Sequence, residues 1–393
     1  MGRATGRRAT LSGGAVDLLG TRPDHEPVIG PTDPAVRLRP SRLPRLARHT
    51  ISLSDDHRVG IAVCGRGVPL VVVHGFAAEG VLYAQTLSRI VSAGFKVVAI
   101  DTAGHGGTQG LPTGGASLES YSRLLGRVID ELGIRRSVLI GHSMGGRLVT
   151  ELAAKQPDRT IGVILLDAIV GETWDRLVHL FRFNPALLAG VGAMLVADTM
   201  TTAPFFRDPG QALKLGRLTA PMIRRHVTNP MHLVGPGISI LRSPSSKWML
   251  QKLGQQGIPV IAIHGDRDLA VPLATARSAA RLSGGELVVV EKASHSWLLK
   301  DPETFPAILR ELLEGRLGRA VRVDALKAEG LDPASATVDD IEAALYEPDA
   351  PILELTPPLD PDRLDPHPRR PRYRWRFDGG REPSPAEDPP SMA

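Results

Sequence analysis

Short apolar runs alternate with segments of helical periodicity through the middle of the sequence. Val, Ile, Leu and Ala fill most positions of these runs, and each run is only a few residues long. Unbroken runs of this kind, separated by helices, are typical of strands in a parallel sheet covered on both faces. The pattern therefore predicts an α/β fold with a mostly parallel central sheet flanked by helices. The predicted strands are GIAVCG near residue 60, LVVVHG at 70, KVVAID at 96, SVLIGHS at 137, GVILLDA at 162, PVIAIHGD at 259 and ELVVVEKASH at 286.

The alternation stops between the runs at 162 and 259, where a long and mostly helical segment is inserted. Because an insertion at the C-terminal end of a strand would overhang the crevice in which open α/β sheets bind ligands, we interpret it as a cap. Helices are predicted at 80–93, 117–131, 144–156, 272–283 and 301–314. The predicted domains are a basic, disordered N-terminal tail at 1–48, an α/β core at 49–169 and 257–316, a helical cap at 170–256, a small helical extension at 317–347 and a Pro-rich, disordered C-terminal tail at 348–393.

The segment VLIGHSMGGRLV, residues 138–149, passes from an apolar run into a helical pattern within two residues. Such a turn crowds the backbone, and Gly141 and Gly145, which lack a Cβ atom, would let the strand and the helix approach closely. Gly146 would relieve the same crowding. The side chain of Ser143, at the apex, would point away from the sheet beside the N–H groups of a helix N-terminus. This context favours Ser143 as a nucleophile over a purely structural glycine-rich turn.

A serine hydroxyl needs a base to take its proton and a carboxylate to orient that base. His295 lies in a loop after the last predicted strand, and Asp266 and Asp268 lie in the loop after the preceding strand. Both loops leave the C-terminal ends of strands, on the edge of the sheet that carries Ser143. Asp167, which ends the run at 162, leaves the same edge. The residues alone therefore leave more than one candidate acid.

Five segments follow one another in a characteristic order: VVVHGF at 71–76, DTAGHGGT at 101–108, GHSMGG at 141–146, HGDRDLAVP at 264–272 and ASHSWLLKDPETF at 293–305. With these segments the sequence resembles the α/β-hydrolases, in the serine-nucleophile branch that includes esterases, lipases, thioesterases and carbon–carbon bond hydrolases. The resemblance covers residues from about 50 to 315. It implies the fold that the alternating pattern predicts, with a cap over the site.

The resemblance also implies a role for individual residues. Ser143 would be the nucleophile, His295 the base, and Asp268, rather than Asp266 or Asp167, the acid. The oxyanion hole would be formed by the backbone N–H groups of Phe76 and Met144. Two such donors facing a developing oxyanion are consistent with the chemistry, because losing one typically costs about 10²- to 10³-fold in rate.

Ser at the elbow disfavours the haloalkane dehalogenases and epoxide hydrolases of this fold, which use Asp there. We therefore expect a serine hydrolase that cleaves a small-molecule carboxylic ester through an acyl-enzyme. The alternatives are a carbon–carbon bond hydrolase, a thioesterase, a cofactor-free haloperoxidase-like enzyme or, in another class, a ligand-binding receptor or scaffold. Apolar cap residues hint at a hydrophobic substrate, although for any single one of them packing in the cap's own core is the favoured interpretation. They are Leu177, Leu180, Phe181, Phe183, Leu187, Leu188, Met194, Leu195, Phe205 and Phe206.

No cofactor and no metal are expected, since the histidines lie in separate loops and Cys64 is the single cysteine. The net charge of +5 equals the excess of nine arginines over four acids in residues 1–48, so no nucleic-acid partner is expected. The longest apolar run, residues 186–197, is too short to span a bilayer. No export signal is evident, and the expected location is the cytoplasm.

The segment RRPRYRWRF at 369–377 alternates arginine with aromatic residues. Such a stretch could make peripheral contact with an anionic membrane. Its composition favours the simpler interpretation of a solvated basic stretch in a disordered tail.

Overall fold

The computed structural model describes residues 43–76, 80–111, 117–202, 224, 228, 231–359 and 370–378. The strands are β1 (Ala47–Ser52), β2 (Arg58–Cys64), β3 (Val68–Val73), β4 (Phe95–Ile100), β5 (Ser137–His142), β6 (Thr160–Leu166), β7 (Val260–Gly265), β8 (Glu286–Val290) and β9 (Trp375–Asp378). They form one sheet in the order β1-β2-β4-β3-β5-β6-β7-β8-β9. The strands from β4 to β8 in this order pair in parallel, and β1, β2 and β9 pair antiparallel with their neighbours.

The helices are α1 (Ala84–Val91), α2 (Leu118–Glu131), α3 (Met144–Lys155), α4 (Glu172–Phe183), α5 (Pro185–Thr202), α6 (Met231–Leu241), α7 (Lys247–Gln255), α8 (Leu273–Ser283), α9 (Trp297–Lys300), α10 (Thr304–Leu312), α11 (Arg316–Arg319), α12 (Ala325–Ala328), α13 (Val338–Leu345) and α14 (Pro351–Leu355). The helices beside the sheet form two groups: α1 packs against α10, while α2, α3, α7 and α8 pack in sequence against one another. The predicted fold class is confirmed.

All seven predicted strands are present, and six of them, β3 to β8, bury nearly every side chain. The two strands that the sequence did not predict, β1 and β9, are the outer strands of the sheet. In both, half-buried positions alternate with exposed ones, because one face packs on the core and the other faces solvent. β1 begins at Ala47, inside the predicted tail 1–48; residues 1–42 lie outside the described part of the chain.

The prediction that residues 348–393 form a disordered tail is wrong for the described part of that segment, since α14 and β9 lie within it. β9 pairs with β8, whose outer edge would otherwise leave its backbone groups unpaired. The aromatic side chains of the segment face inward: Tyr373 meets the Trp297 ring edge-on at 6.2 Å, and the Trp375 indole N–H donates to Glu311 at 2.7 Å. From Trp375 onward, the alternation of arginine and aromatic residues is therefore the two-residue period of β9.

In the described residues between β6 and β7, four helices, α4 to α7, cover most of the predicted cap. α4 packs against both α5 and α6, whereas α7 packs against α3 and α8 of the core. Most of residues 203–230, including Phe205 and Phe206, lies outside the described part of the chain. None of the helices in the described residues is both long enough and apolar enough to cross a membrane.

The helical extension after residue 317 ends in α13, which packs against β3. Its first turn contains the capping box suggested by the sequence: the Thr337 hydroxyl accepts from the Asp340 N–H, and the Asp340 carboxylate accepts from the Thr337 N–H. Glu342 on α13 is nearly buried, at 9% exposure, and contacts the buried Lys96 at 3.1 Å. The extension is thus joined to the sheet through an ion pair.

Candidate active site

Ser143 occupies the turn between β5 and α3 with a φ of +52°. This left-handed region is uncommon for a residue with a side chain, and such strain tends to occur at functional sites. Backbone bonds hold the turn: the Ser143 N–H donates to the Leu166 carbonyl at 2.9 Å, and the Ser143 carbonyl accepts from the Gly146 N–H at 3.0 Å. The residue is 4% exposed, so its hydroxyl lies below the protein surface.

The three glycines of the elbow have no room for a side chain. A Cβ atom on Gly145 would lie 2.2 Å from the carbonyl oxygen of Val73. A Cβ atom on Gly146 would lie 2.3 Å from the Cβ of Ala168, and one on Gly141 would lie 2.4 Å from the carbonyl carbon of Gly145. The close approach of strand and helix that the sequence predicted is therefore present.

The loop after β3 runs beside the elbow. A Cβ atom on Gly75 would lie only 3.0 Å from the Cβ of Ser143, and Phe76, the next residue, is half-buried. Met144, the first residue of α3, is fully buried. The two residues expected to supply oxyanion donors thus lie near Ser143. Met144 follows it in sequence, and Phe76 is next to Gly75, which lies against it.

His295 and Asp268 form a buried hydrogen-bonded pair. Nδ1 of His295 donates to Oδ2 of Asp268 at 2.6 Å, and the side chains are 5% and 0% exposed. Burial alone would raise the pKa of Asp268, but the nearby His295 and backbone N–H donors hold it below its usual value. Burial alone would lower the pKa of His295, but the carboxylate of Asp268 raises it above its usual value. The pair therefore favours a charged imidazolium.

The other two candidate acids have different partners. Asp266 is exposed and accepts from the Lys292 N–H at 2.6 Å. Asp167 is fully buried, with a φ of +45°, and accepts from the Gly265 N–H at 2.9 Å and from the Trp297 indole N–H at 2.7 Å. Burial raises the pKa of Asp167 to about 6. Of the three, Asp268 is the one bonded to the His295 ring.

His142, the residue before Ser143, connects the elbow to the His295 loop. Its Nε2–H donates to the His295 carbonyl at 3.2 Å, and its ring centroid lies 4.8 Å from that of His295. In this tautomer Nδ1 accepts from the Tyr83 hydroxyl at 3.0 Å. Burial lowers the pKa of His142 to about 3, so its ring stays neutral. His142 thus adjoins Ser143 along the chain and contacts His295 in space, with its ring neutral.

A second contact that the sequence did not predict comes from the cap. Asp198 on α5 accepts from the N–H of Ser296, the residue after His295, at 2.8 Å. α5 carries no other charged side chain among its residues 185–202, so this carboxylate stands out in the sequence. The cap helix therefore contacts the loop that bears the candidate base.

Asp167, His264 and Asp268 bring their ligand atoms within 4.8 Å of one another, as metal ligands could. All four carboxylate oxygens, however, already accept hydrogen bonds, from Gly265 and Trp297 on Asp167 and from Ala270, Val271 and His295 on Asp268. His264 Nε2–H donates to the Val271 carbonyl at 2.8 Å. The carboxylate oxygens are thus engaged in hydrogen bonds within the protein, while Nδ1 of His264 has no hydrogen-bond partner among the described residues.

Residues 68–302 match the α/β hydrolase fold family. The chain is 32% identical over 266 residues to a protein of Mycobacterium phage D29 named "Putative non-heme haloperoxidase", covering 66% of this chain and 92% of that protein. It is 24% identical over 254 residues to a pimeloyl-[acyl-carrier protein] methyl ester esterase of Vibrio atlanticus, covering 62% and 93%.

Among solved structures, a bromoperoxidase from Bacillus anthracis superposes with a TM-score of 0.53 at 20% identity, covering 68% of this chain and 100% of that chain. At this identity the likeness concerns the fold. The family match spans more than half of the chain. It includes all the elements from β3 to α9, and with them Ser143, Asp268 and His295. The chain belongs to the α/β hydrolase fold family.

Proposed function

We propose that this α/β hydrolase is a serine hydrolase that cleaves carboxylic esters, with Ser143 as nucleophile, His295 as base and Asp268 as acid. The observation that carries the proposal is the buried 2.6 Å bond between His295 and Asp268. The rings of His295 and His142 are in contact, and His142 directly precedes the strained Ser143. Nucleophile, base and acid thus come from three neighbouring loops at the C-terminal edge of the sheet.

In this mechanism Ser143 Oγ attacks the ester carbonyl carbon while its proton passes to Nε2 of His295. The tetrahedral intermediate collapses, and the same proton passes to the departing alkoxide, which leaves as the alcohol. Water then attacks the acyl-enzyme, gives a proton to Nε2, and the acid is released as the proton returns to Ser143 Oγ. Asp268 keeps Nδ1 protonated and stabilises the imidazolium that forms in each step.

The negative oxygen of each tetrahedral intermediate would accept hydrogen bonds from the N–H groups of Met144 and Phe76. The first begins α3, where the helix dipole also favours negative charge. The second lies in the loop that Gly75 brings against Ser143. Backbone donors of this kind need no reorganisation when the charge develops.

An apolar acyl group suits the cap helix above the site. α5 bears Leu187 and Met194 at 41% and 40% exposure, whereas Phe181 of α4 packs inside the cap against Trp174 at 5.8 Å. p-Nitrophenyl esters from acetate to dodecanoate would test this preference. We expect kcat/KM to rise about three- to fourfold per buried methylene over the first part of the series. Decreasing kcat/KM with length would reject the apolar pocket and leave the serine mechanism intact.

A fluorophosphonate probe tests the mechanism directly. The wild-type chain should be labelled covalently, and the Ser143→Ala variant should not. Ser122→Ala is a matched control, because Ser122 is buried on α2 and donates to the Leu148 carbonyl, away from the elbow. Equal labelling of the wild type and Ser143→Ala would refute the proposal.

A haloperoxidase-like activity is the second candidate, because the relative at 32% identity carries that name. The same acyl-enzyme would serve: hydrogen peroxide in place of water would attack it and release a peroxy acid, which can oxidise a halide ion. Bromination of monochlorodimedone in the presence of acetate, bromide and peroxide would measure this activity. Two results together would favour the second candidate: the wild type brominates monochlorodimedone but does not hydrolyse esters, and Ser143→Ala loses the bromination activity.

A further inference from the structure

A groove of about 400 Å³ lies at the β9 edge of the sheet, beside the loop that carries His295. We call it the basic groove. Its lining contains four cationic side chains, one carboxylate and one aromatic ring, which are Lys292, Lys300, Arg372, Arg374, Glu291 and Tyr373. The formal charge of the lining is therefore +3. No part of the proposed hydrolytic mechanism uses it.

The backbone of the segment before β9 is fixed by its surroundings. The Arg372 N–H donates to the buried Asp301 carboxylate at 2.8 Å, and the Arg374 carbonyl accepts from the Glu291 N–H at 2.9 Å. Between them, Tyr373 is buried with its ring against Trp297. Both arginine side chains on either side of Tyr373 are exposed. The groove thus presents its guanidinium groups from an ordered backbone.

Among the described residues, Glu291 is the one carboxylate that lines the groove beside its four cations. In the described part of the chain, Lys292, Lys300, Arg372 and Arg374 form no ion pair, whereas the next arginine along the strand, Arg376, reaches Asp378 at 4.0 Å. Like charges that converge on one groove repel each other, and a bound anion relieves that repulsion. Arginine matches phosphate oxygens through two parallel N–H donors, and lysine adds a compact positive charge.

We propose that the basic groove binds a soluble ligand that carries phosphate groups. Four cations exceed what a single carboxylate would balance, and the volume is within the range of small-molecule sites. A flat membrane surface fits less well, because the aromatic residues of this segment pack inward instead of facing outward to enter a lipid interface. This proposal stands whether or not the proposed ester hydrolysis is correct.

Titration calorimetry of the full chain with inorganic pyrophosphate at low ionic strength tests the proposal. We expect binding that weakens as salt is added and at least a tenfold weaker affinity for Arg372→Gln/Arg374→Gln. The control variant Arg58→Gln/Arg123→Gln removes the same charge from exposed positions on β2 and α2 and should stay within about twofold of the wild type. Thermal unfolding of each variant checks that the fold is retained, and Lys300→Gln provides a second variant from another element.

Absence of pyrophosphate binding, or equal weakening in the groove and control variants, would overturn the proposal. A separate measurement uses vesicles of phosphatidylcholine with and without phosphatidylglycerol. Binding to the anionic vesicles with no affinity for pyrophosphate would also overturn it, and would assign the arginines to a membrane surface instead.

Discussion

The indole N–H of Trp297 donates to one oxygen of Asp167 at 2.7 Å, while the other oxygen accepts from the Gly265 N–H at 2.9 Å. Trp297 follows His295 by two residues, and Gly265 precedes Asp268 by three. A single buried carboxylate at the end of β6 therefore connects the loop of the candidate base with the loop of the candidate acid. We expect Asp167 to position the pair through these two bonds, which go to Gly265 and Trp297 and not to the His295 ring.

We expect Asp167→Asn to lower kcat/KM for an ester substrate by about 10- to 100-fold with a smaller change in KM. The asparagine NH₂ group would face a N–H donor on one side, so one loop would lose its hydrogen bond; a lost buried bond typically costs about 1–3 kcal/mol. The negative charge of Asp167 also helps to raise the pKa of His295. The acid limb of the pH–rate profile should therefore move to lower pH.

Asp266→Asn is the matched control for this variant. Asp266 is exposed and lies in the loop that carries Asp268. It should retain the wild-type pH profile. If Asp167→Asn lowered only the free energy of unfolding and left the acid limb of the pH–rate profile unchanged, the role of Asp167 would be structural.

The pH dependence of hydrolysis should follow the titration of His295. A general base must be neutral, and the raised pKa of His295 predicts that kcat/KM falls as the pH drops through a value above 6.5, the ordinary pKa of histidine. The groups that act on this pKa are Asp268, Asp167 and Asp198, which raise it. Asp268→Asn should shift the acid limb to lower pH and reduce the maximal rate by about 10³- to 10⁴-fold.

His142→Gln separates the two stacked histidines. With a pKa of about 3, His142 is neutral across the working range, so its replacement should leave the position of the acid limb within a few tenths of a pH unit. A glutamine can still donate to the His295 carbonyl. If the acid limb instead disappeared in this variant, the titrating base would be His142 and the roles assigned above would be wrong.

The inner strands were predictable because they bury both faces, which leaves continuous apolar runs in the sequence. β1 and β9 escaped the same criterion because each exposes one face, and RYRWRF was interpreted by its charge instead of its two-residue period. The elbow was predictable from its local motif, whereas the choice of Asp268 as the partner of His295 came from the resemblance to the α/β-hydrolases, since the residues alone left three candidate acids. The links through His142, Asp167 and Asp198 were not predictable, since they join residues far apart in sequence by single hydrogen bonds.

Gly145→Ala should prevent the elbow from forming in its present shape. The added Cβ would lie 2.2 Å from the Val73 carbonyl oxygen, which belongs to the backbone of the central strand β3 and cannot turn aside. We expect a loss of about 1–3 kcal/mol in unfolding free energy, as for other overpacked interiors, together with loss of probe labelling. Gly190→Ala on α5 is the control, because, apart from its own helix backbone and chain neighbours, no atom of the described residues lies within 4 Å of the position that its added methyl group would take. Wild-type labelling by Gly145→Ala would contradict the tight packing of strand and helix.

The buried ion pair between Lys96 and Glu342 gives the last prediction. Glu342 Oε1 lies 3.1 Å from the ammonium group and accepts from the Gly67 N–H at 3.0 Å, while Oε2 accepts from Arg66 at 2.9 Å. The ammonium group also lies 5.0 Å from the centre of the Tyr346 ring. Burial would raise the pKa of Glu342, but Arg66, the Gly67 N–H and Lys96 lower it below its usual value. Its contribution to stability is thus present at neutral pH and is lost as the pH falls through that lowered pKa.

Glu342→Gln should lower the free energy of unfolding in urea at pH 7 by about 3–5 kcal/mol, because it leaves the charge of Lys96 buried without a counter-charge. The double variant Lys96→Met/Glu342→Gln should recover most of that loss, since the glutamine carbonyl can still accept from Gly67 and no unpaired charge stays buried. A double variant as unstable as the single one would mean that the hydrogen bonds of Glu342, and not its charge, attach the C-terminal extension to the sheet. Because Lys96 lies on β4 and Glu342 on α13, and neither belongs to the loops that carry Ser143 and His295, probe labelling of the folded variants should match that of the wild type.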